Sequence, residues 1–231
     1  MQDYINCPGH FGHCELEYPV FHYGFFKYLR DILSCICIKT GKLLIPTEEL
    51  KKKINIKKSN KLRFKEIKQL LSQVKVSPYS NIRVPKIVRG GSKHDAKIMI
   101  YAEYPILNES DMSSSLSANE NIVINGKKKV LRQILTPQNC FDILSSISDE
   151  DCELMGIYRP QDFIIQTFPI PPIAIRPSIR GTQLREDPLT HKYSDIVKTN
   201  NQLANAKHKE TLDPQSKKWS KDITYVLQYH V

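Results

Sequence analysis

Residues 7–13, Cys-Pro-Gly-His-Phe-Gly-His, are the most specific stretch of the chain, with a thiol and an imidazole on either side of a Pro-Gly turn. This Cys-x2-His spacing puts both groups on one side of a knuckle, as tetrahedral zinc requires. Cys7 and His10 supply two of four ligands, so the motif predicts half of a zinc site. Three alternatives stay open: a self-contained site with His13 and Cys14, a Cys7–His10 nucleophilic pair, and a turn that these side chains only line.

The length and composition of the chain exclude several classes of protein. The chain has 231 residues, 40% of them hydrophobic, which is enough for one sizeable core or two small ones. No apolar run approaches the roughly 18 residues of a membrane span, and residues 1–20 lack the apolar stretch of a signal peptide. The cysteines are clustered and uneven in spacing, which is unlike a secreted disulfide framework. We therefore expect reduced thiols.

The positive charge is concentrated in one segment. Between Lys39 and Lys97 there are 17 Lys and Arg against 4 Asp and Glu, so this segment carries +13 and the rest of the chain −3. Its densest part contains Lys51, Lys52, Lys53, Lys57 and Lys58. Such a patch attracts phosphate backbones. A solvated helix face is the alternative, and charge by itself does not decide between the two.

Periodicity and turn signals predict a mixture of helices and strands. Expected helices cover residues 25–36 (ended by Gly41), 62–74 with Leu62 inward, 136–147, 148–156 and 187–203. Expected strands cover residues 11–16, 96–106 and 163–168, with a hairpin at 122–131 around Asn125-Gly126 and a loop at 108–121. Residues 169–177 are rich in Pro and are expected to be extended. The spacing of Cys35, Cys37, Cys140 and Cys152 does not suit a metal site and indicates that these thiols lie in the core.

Together the motifs resemble the clamp region near the N-terminus of the largest subunit of multisubunit DNA-directed RNA polymerases. The eukaryotic polymerase II type, or a relative from a large DNA virus, is the most similar. The resemblance spans almost the whole chain and is weakest at residues 46–88 and 108–121. Its motifs follow in the family's order: residues 7–13, 19–22, 41–44, 89–91, 147–151, 169–172, 176–179, 187–190 and 200–201.

The resemblance implies a set of metal sites. Cys7 and His10 match the last two ligands of a Cys-x2-Cys-x6-Cys-x2-His zinc site, whose first two ligands would precede the chain. We therefore expect this chain to be one part of a longer subunit. The aspartate triad that holds the catalytic Mg²⁺ of the whole enzyme lies downstream in the family, so no catalytic residue is expected here. A second zinc site would keep only Cys37, with Thr40, Ser77 and Ser92 in the other positions, and is expected to be lost.

The resemblance also implies a fold and a role. The expected fold is an α+β clamp core with an N-terminal zinc-knuckle module and an irregular Pro-rich segment. Residues 1–45 would form the zinc knuckle and helix, residues 46–130 the basic clamp head with its hairpin, and residues 131–231 the clamp core leading towards the lid. The candidates for nucleic-acid binding are Arg176, for which a core-edge salt bridge is the alternative, and the five lysines between residues 51 and 58.

In this role the chain would hold DNA template and nascent RNA as part of a nucleotidyltransferase. Its protein partners would be other polymerase subunits, notably the second-largest, and no contact with a membrane is expected. It would work in the nucleus if cellular, or in a cytoplasmic viral factory or virion if viral. The leading alternative is a free-standing zinc-ribbon protein that binds nucleic acid without catalysis. A third hypothesis is an inactive remnant of a split polymerase gene.

Overall fold

The structure, a computed structural model, describes residues 9–90, 99–105, 120–125, 128–180, 184–210 and 217–231. Helices and strands are mixed along the chain, which confirms the α+β class. The chain divides into two compact units: unit 1 joins Met1–Val20 to Ile165–Val231, and unit 2 is Phe21–Ile164. The finer division at residues 45 and 130 stays a prediction.

Unit 2 packs short helices around one apolar core. Its helices are α1 (Phe26–Leu33), α2 (Thr47–Lys53), α3 (Asn60–Leu71), α4 (Pro137–Ser145) and α5 (Asp149–Met155). Leu29, Ile32 and Leu33 recur on one face of α1 and are fully buried. Leu50 of α2 and Ile67 of α3 join the same core. Burial of one such side chain contributes roughly 1.5–3 kcal/mol, so these few positions orient each helix.

A four-stranded antiparallel sheet belongs to unit 2. It contains β2 (Lys86–Gly90), β3 (Met99–Pro105), β4 (Glu120–Asn125) and β5 (Lys128–Leu135), in the order β2-β3-β5-β4. The pairing of Asn125 with Lys128 confirms the predicted hairpin, whose two turn residues lie outside the described part of the chain. Ile100 and Ala102 of β3 are fully buried and turn one face of the sheet to the core.

Two helix starts follow the capping signals in the sequence. The Thr136 hydroxyl accepts a hydrogen bond from the Asn139 backbone N–H at 3.2 Å, and Pro137 occupies the first helical position of α4. The Ser148 hydroxyl accepts from the Asp151 N–H at 3.3 Å at the start of α5. Gly156 ends α5 with φ 73°, a left-handed conformation that favours glycine. Both predicted starts and the glycine stop are confirmed.

Unit 1 contains two pairs of strands and two helices with a buried face. β1 (Gly12–Phe21) pairs with β6 (Ile164–Ile170), and β7 (Ile179–Arg180) pairs with β8 (Leu184–Arg185). The helices are α6 (Pro188–Glu210) and α7 (Lys217–His230). The core of the unit consists of Val20, Ile196, Leu203, Ala206, Ile223 and Leu227. The sequence pattern predicts a helix over residues 187–203, the first part of α6, and α7 was not predicted.

Four expectations about local structure are wrong. The first helix ends at Leu33, before the predicted end at Ile36 and the stop signal at Gly41, because the chain turns back so that Ile36 bridges Leu43. Leu62 is 58% exposed, since the buried stripe of α3 runs through Ile67 and Leu71. β1 extends well beyond the predicted residues 11–16. The Pro-rich segment is not extended throughout, because Ile173–Ile175 form a 3-10 turn. The loop predicted at residues 108–121 lies, up to residue 119, outside the described residues.

Candidate nucleic-acid interface

The five candidate lysines lie on α2 and in the turn that follows it. Glu48 and Glu49 occupy the first turn of α2 and Lys51, Lys52 and Lys53 the last, an arrangement that matches the helix dipole at both ends. Leu50 and Ile54 are buried on either side of these lysines and anchor the helix. The three ammonium groups are therefore directed to solvent, and Lys57 and Lys58 are exposed as well.

Most of this charge is not neutralised. Lys53 Nζ lies 3.9 Å from Glu49 Oε2, and both side chains are more than half exposed. Lys58 Nζ lies 3.0 Å from Glu66 Oε2. Exposed pairs of this kind contribute roughly 0–1 kcal/mol and exchange readily with other anions. Lys51, Lys52 and Lys57 have no carboxylate partner among the described residues. The structure thus presents a run of available cations on unit 2.

Arg176 is held in a different way, within unit 1. It follows the 3-10 turn of the Pro-rich segment, where its Nε donates a hydrogen bond to the Pro171 carbonyl at 3.2 Å. Its Nη1 donates to the Thr190 hydroxyl at 3.3 Å, and the guanidinium lies 5.5 Å from the centre of the Tyr193 ring. All three partners are neutral, and no described carboxylate pairs with Arg176. The expected alternative, a salt bridge, does not form among the described residues.

Only one of the two candidate zinc ligands lies among the described residues. Cys7 lies outside the described residues, and His10 is exposed. Gly9, between them, has φ 79°, and a Cβ there would approach Pro172 Cβ to 2.6 Å, so the turn packs against the Pro-rich segment. Within the described ranges no three His, Cys, Asp or Glu side chains converge as metal ligands. Of the two candidate ligands the described residues contain only His10, so the zinc site stays a prediction.

Cys37 lies where the resemblance places a lost zinc site, between two short turns. Ile36 bridges Leu43 across the first turn, and Val76 bridges Arg83 across the second. Between the turns Cys37 Sγ lies 3.4 Å from Ser80 Oγ. Thr40 is on the first turn with Cys37, and Ser77 is on the second with Ser80, whereas Ser92 lies outside the described residues. Polar side chains thus occupy the space between the turns, and Ser80 was not foreseen.

The pKa of Cys37 differs from that of an ordinary core thiol. Burial raises the pKa, but the surrounding polar groups of Ser77, Ser80 and Thr40 and the Lys39 backbone outweigh it and lower the pKa to about 6. Cys35, two residues earlier, has no such set of donors, and burial raises its pKa to about 12. Cys37 is buried as expected. Its lowered pKa favours the thiolate, the reactive form of the side chain, so pH-dependent stability measurements can distinguish it from an ordinary core thiol.

The other core thiols behave as predicted. Cys140 and Cys152 are buried, and burial raises the pKa of both, that of Cys140 to about 12. Such thiols stay protonated near neutral pH and pack as small apolar side chains. Cys14 is half-buried, and burial followed by the nearby Glu15 carboxylate raises its pKa. All five thiols that the structure describes are free.

Two structurally important polar residues were missed by the sequence analysis. Arg63 donates to the carbonyls of Leu154 at 2.7 Å, Glu153 at 2.9 Å and Ile56 at 3.2 Å, and so satisfies the C-terminal end of α5. Asn200 donates to the Glu15 carbonyl at 2.8 Å and accepts from the Glu17 N–H at 2.8 Å. Asn200 appeared only as part of a family motif, and Arg63 looked like one more cation on a basic helix.

Among the helices of the described residues, none is long and apolar enough to cross a bilayer.

Comparison with known proteins gives one family match. The family described as "RNA polymerase Rpb1, domain 1" matches residues 1–231. The chain is 39% identical over 238 residues to DNA-directed RNA polymerase subunit 1 of Acanthamoeba polyphaga mimivirus, covering 98% of this chain and 15% of the relative. It is 35% identical over 214 residues to DNA-directed RNA polymerase II subunit RPB1 of Euplotoides octocarinatus, covering 87% of this chain and 41% of the relative.

An archaeal relative extends the comparison. DNA-directed RNA polymerase subunit Rpo1N of Methanocaldococcus jannaschii is 32% identical over 241 residues, covering 97% of this chain and 15% of the relative. The chain thus spans less than half the length of each of these curated relatives.

Proposed function

The chain belongs to the RNA polymerase Rpb1, domain 1 family, and on this premise we propose that it is the N-terminal clamp part of a polymerase's largest subunit. In this role it holds DNA template and nascent RNA through contacts to backbone phosphates, without reading base sequence. The observation that carries the proposal is the run of exposed lysines on α2 and in the following turn, of which three have no described carboxylate partner.

The chemistry of lysine suits this task. An ammonium group is a hydrated point charge on a flexible stem, so it attracts phosphate without a fixed bidentate geometry for a base edge. Counterion release from the nucleic acid then supplies affinity for every sequence alike. Leu50 and Ile54 hold the segment in place, so the charges are presented from a fixed backbone.

Arg176 adds one phosphate contact on this proposal. Its Nε and Nη1 atoms are engaged by Pro171 and Thr190, and no described partner takes a hydrogen bond from Nη2. The neutral partners leave the positive charge of the side chain in place. A guanidinium oriented in this way needs little further ordering to bind an anion.

The wider roles follow from the same proposal. Nucleotide addition belongs to the whole subunit, where Mg²⁺ supplies the chemistry, and this chain contributes no catalytic residue. Other subunits, notably the second-largest, complete the channel. A cellular enzyme of this type works in the nucleus, and a viral one in a cytoplasmic factory or virion. Cys7 and His10 would hold part of a structural zinc site. With two of four ligands, this chain alone should hold zinc only weakly, and metal analysis measures its zinc content.

A binding experiment with a charge-matched control tests the nucleic-acid contact. The test variant replaces Lys51, Lys52, Lys53, Lys57 and Lys58 with Glu. The control variant replaces five exposed lysines elsewhere with Glu, so that both variants change net charge equally: Lys27, Lys192, Lys198, Lys209 and Lys221. Binding is measured by fluorescence anisotropy on several unrelated DNA duplexes and an RNA–DNA hybrid at two salt concentrations.

We expect the test variant to lose most of its affinity for all sequences and the control to retain most of it. Equal loss in both variants would show that net charge alone attracts nucleic acid and that no interface exists on α2. A strong preference for one duplex would favour the alternative, a free-standing sequence-specific regulator. The comparisons do not favour that alternative, because the relatives are polymerase subunits and the family match covers the whole chain.

A further inference from the structure

Unit 2 contains an open groove that the proposed clamp contacts do not use. Its volume is about 900 Å³, and it runs between the C-terminal ends of α1 and α3 and the chain at residues 74–76 and 83–87. Apolar side chains line much of it, among them Leu71, Val74, Val76, Val84 and Ile87. Leu71 and Ile87 belong to the core, so their backbone is fixed, whereas Val76 is 44% exposed. An exposed valine in a groove of this size is available to a partner.

The groove is also strongly basic. Arg30, Lys68, Lys75, Arg83 and Lys86 line it, and Asp31 is the one acidic side chain among the described lining residues. Asp31 Oδ1 is shared by Lys68 Nζ at 2.7 Å and Arg30 Nη2 at 3.8 Å. The other three cations are exposed and have no carboxylate partner among the described residues. An occupant must therefore bring several negative charges.

The lining decides which kind of polyanion fits. A nucleic-acid backbone would match the cations but leave the valines facing phosphates and sugars. Single strands bind in basic grooves by stacking their bases on aromatic rings, and no Phe, Tyr, Trp or His is among the described lining residues. A peptide that alternates carboxylates with apolar side chains satisfies both features at once, because its apolar groups cover the valines while its carboxylates face the rim.

We propose that this groove binds a short acidic segment of a partner protein in which Asp or Glu alternate with Leu or Phe. The apolar side chains of the segment lie on Val74, Val76 and Val84, and its carboxylates pair with Lys75, Arg83 and Lys86. The proposal does not depend on nucleic-acid binding by α2, since none of the lysines 51–58 lines the groove.

The test uses the full chain and three fluorescent probes. The first probe is a synthetic peptide in which Leu and Phe alternate with pairs of Asp or Glu. The second has the same charges with Ser in place of every apolar residue, and the third is single-stranded DNA. The rim variant combines Lys75→Glu, Arg83→Glu and Lys86→Glu. Its charge-matched control combines Lys27→Glu, Lys198→Glu and Lys221→Glu, all exposed and outside the groove.

We expect the rim variant to bind the first peptide about tenfold more weakly or worse, and the control to bind within about twofold of the parent chain. The Ser peptide should bind about tenfold more weakly than the first, because it cannot cover the valines. Val76→Ser should weaken only the peptide with apolar residues. In the parent chain, NMR signals of residues 74–76 and 83–87 should shift on titration, which locates the site without any variant.

Equal affinity for the two peptides would overturn the proposal, since charge alone would then explain binding. Equal weakening by the rim and control variants would overturn it for the same reason. Tighter binding of single-stranded DNA than of the peptide, lost in the rim variant, would make the groove a nucleic-acid surface instead.

Discussion

Arg176 in unit 1 and the lysines of α2 in unit 2 carry the same charge in opposite settings. Arg176 is tied to a carbonyl, a hydroxyl and an aromatic ring. Lys51, Lys52 and Lys57 extend into solvent without a described partner. The contrast follows from side-chain chemistry, because guanidinium is planar and weakly hydrated and satisfies several acceptors, whereas ammonium is strongly hydrated. A cation tied to the fold affects stability when removed, and a solvated one affects only what it attracts.

The largest expected effect concerns salt. Replacing Lys51, Lys52, Lys53, Lys57 and Lys58 with Gln should reduce the slope of log K against log salt by up to about 4.5, since each phosphate contact contributes about 0.9. Arg176→Gln should reduce the slope by about 0.9. Titration of duplex DNA at four salt concentrations measures both slopes. A slope that the five replacements leave unchanged would remove the lysines from the interface.

The second prediction compares a cation bound to backbone carbonyls with a solvated cation inside unit 2. Arg63→Ala should destabilise the chain by about 2–4 kcal/mol, because it removes the hydrogen bonds to the carbonyls of residues 56 and 154 and one of the two to the carbonyl of residue 153, which also accepts from the Gly156 N–H. Arg63→Lys should recover little of this, since one ammonium group cannot reach all three carbonyls. Urea unfolding followed by circular dichroism gives the free energies. Lys65→Ala, an exposed cation on the same helix, is the control and should stay within about 0.5 kcal/mol.

The third prediction concerns Arg176 itself. Arg176→Ala should destabilise unit 1 by about 1–3 kcal/mol through loss of two hydrogen bonds and the contact with Tyr193. Trp219, the single Trp of the chain, lies on α7 and reports unfolding of this unit by fluorescence. Lys51→Ala should leave the same signal unchanged. An Arg176→Ala chain as stable as the parent would mean that the three contacts do not hold the segment.

The fourth prediction concerns the Cys37 thiolate, a negative charge that the fold stabilises. Because the folded pKa of Cys37 is lowered to about 6 from an ordinary 9.0, its thiolate contributes stability that is full above pH 9 and is lost as pH falls through 6. The stability of the parent chain relative to Cys37→Ala should therefore be greater at pH 8 than at pH 6 by about 2 kcal/mol. Urea unfolding at the two pH values measures the difference.

Cys140→Ala provides the comparison for that experiment. Burial raises the pKa of Cys140 to about 12, so its thiol stays protonated in the folded state at both pH values. The cost of removing it should be that of a core truncation, about 1–3 kcal/mol, and the same at pH 6 and pH 8. A Cys37→Ala chain that behaves in the same way would show that Cys37 is an ordinary buried thiol.

Local signals in the sequence determined the elements that depend on neighbouring residues. Thr136-Pro137 and Ser148 started α4 and α5 as predicted, because a cap needs only a side-chain oxygen within three residues of an N–H. Asn125-Gly126 placed the hairpin for a similar reason. The family motifs, spread over the whole chain, identified its class. The apolar period also located α1 and α3, although it misjudged their ends and the position of Leu62.

The tertiary structure decided what depends on residues far apart in the chain. In the sequence Arg63 resembles the lysines around it. Only in the fold do the carbonyls of α5, about 90 positions later in the chain, accept hydrogen bonds from it. Cys35 and Cys37 have opposite pKa shifts because Ser77 and Ser80 approach only the second of them. The basic groove likewise joins α1, α3 and residues 83–87. The sequence determines which groups are charged or polar. Whether such a group is paired, buried or available to a partner depends on which distant segments fold against it.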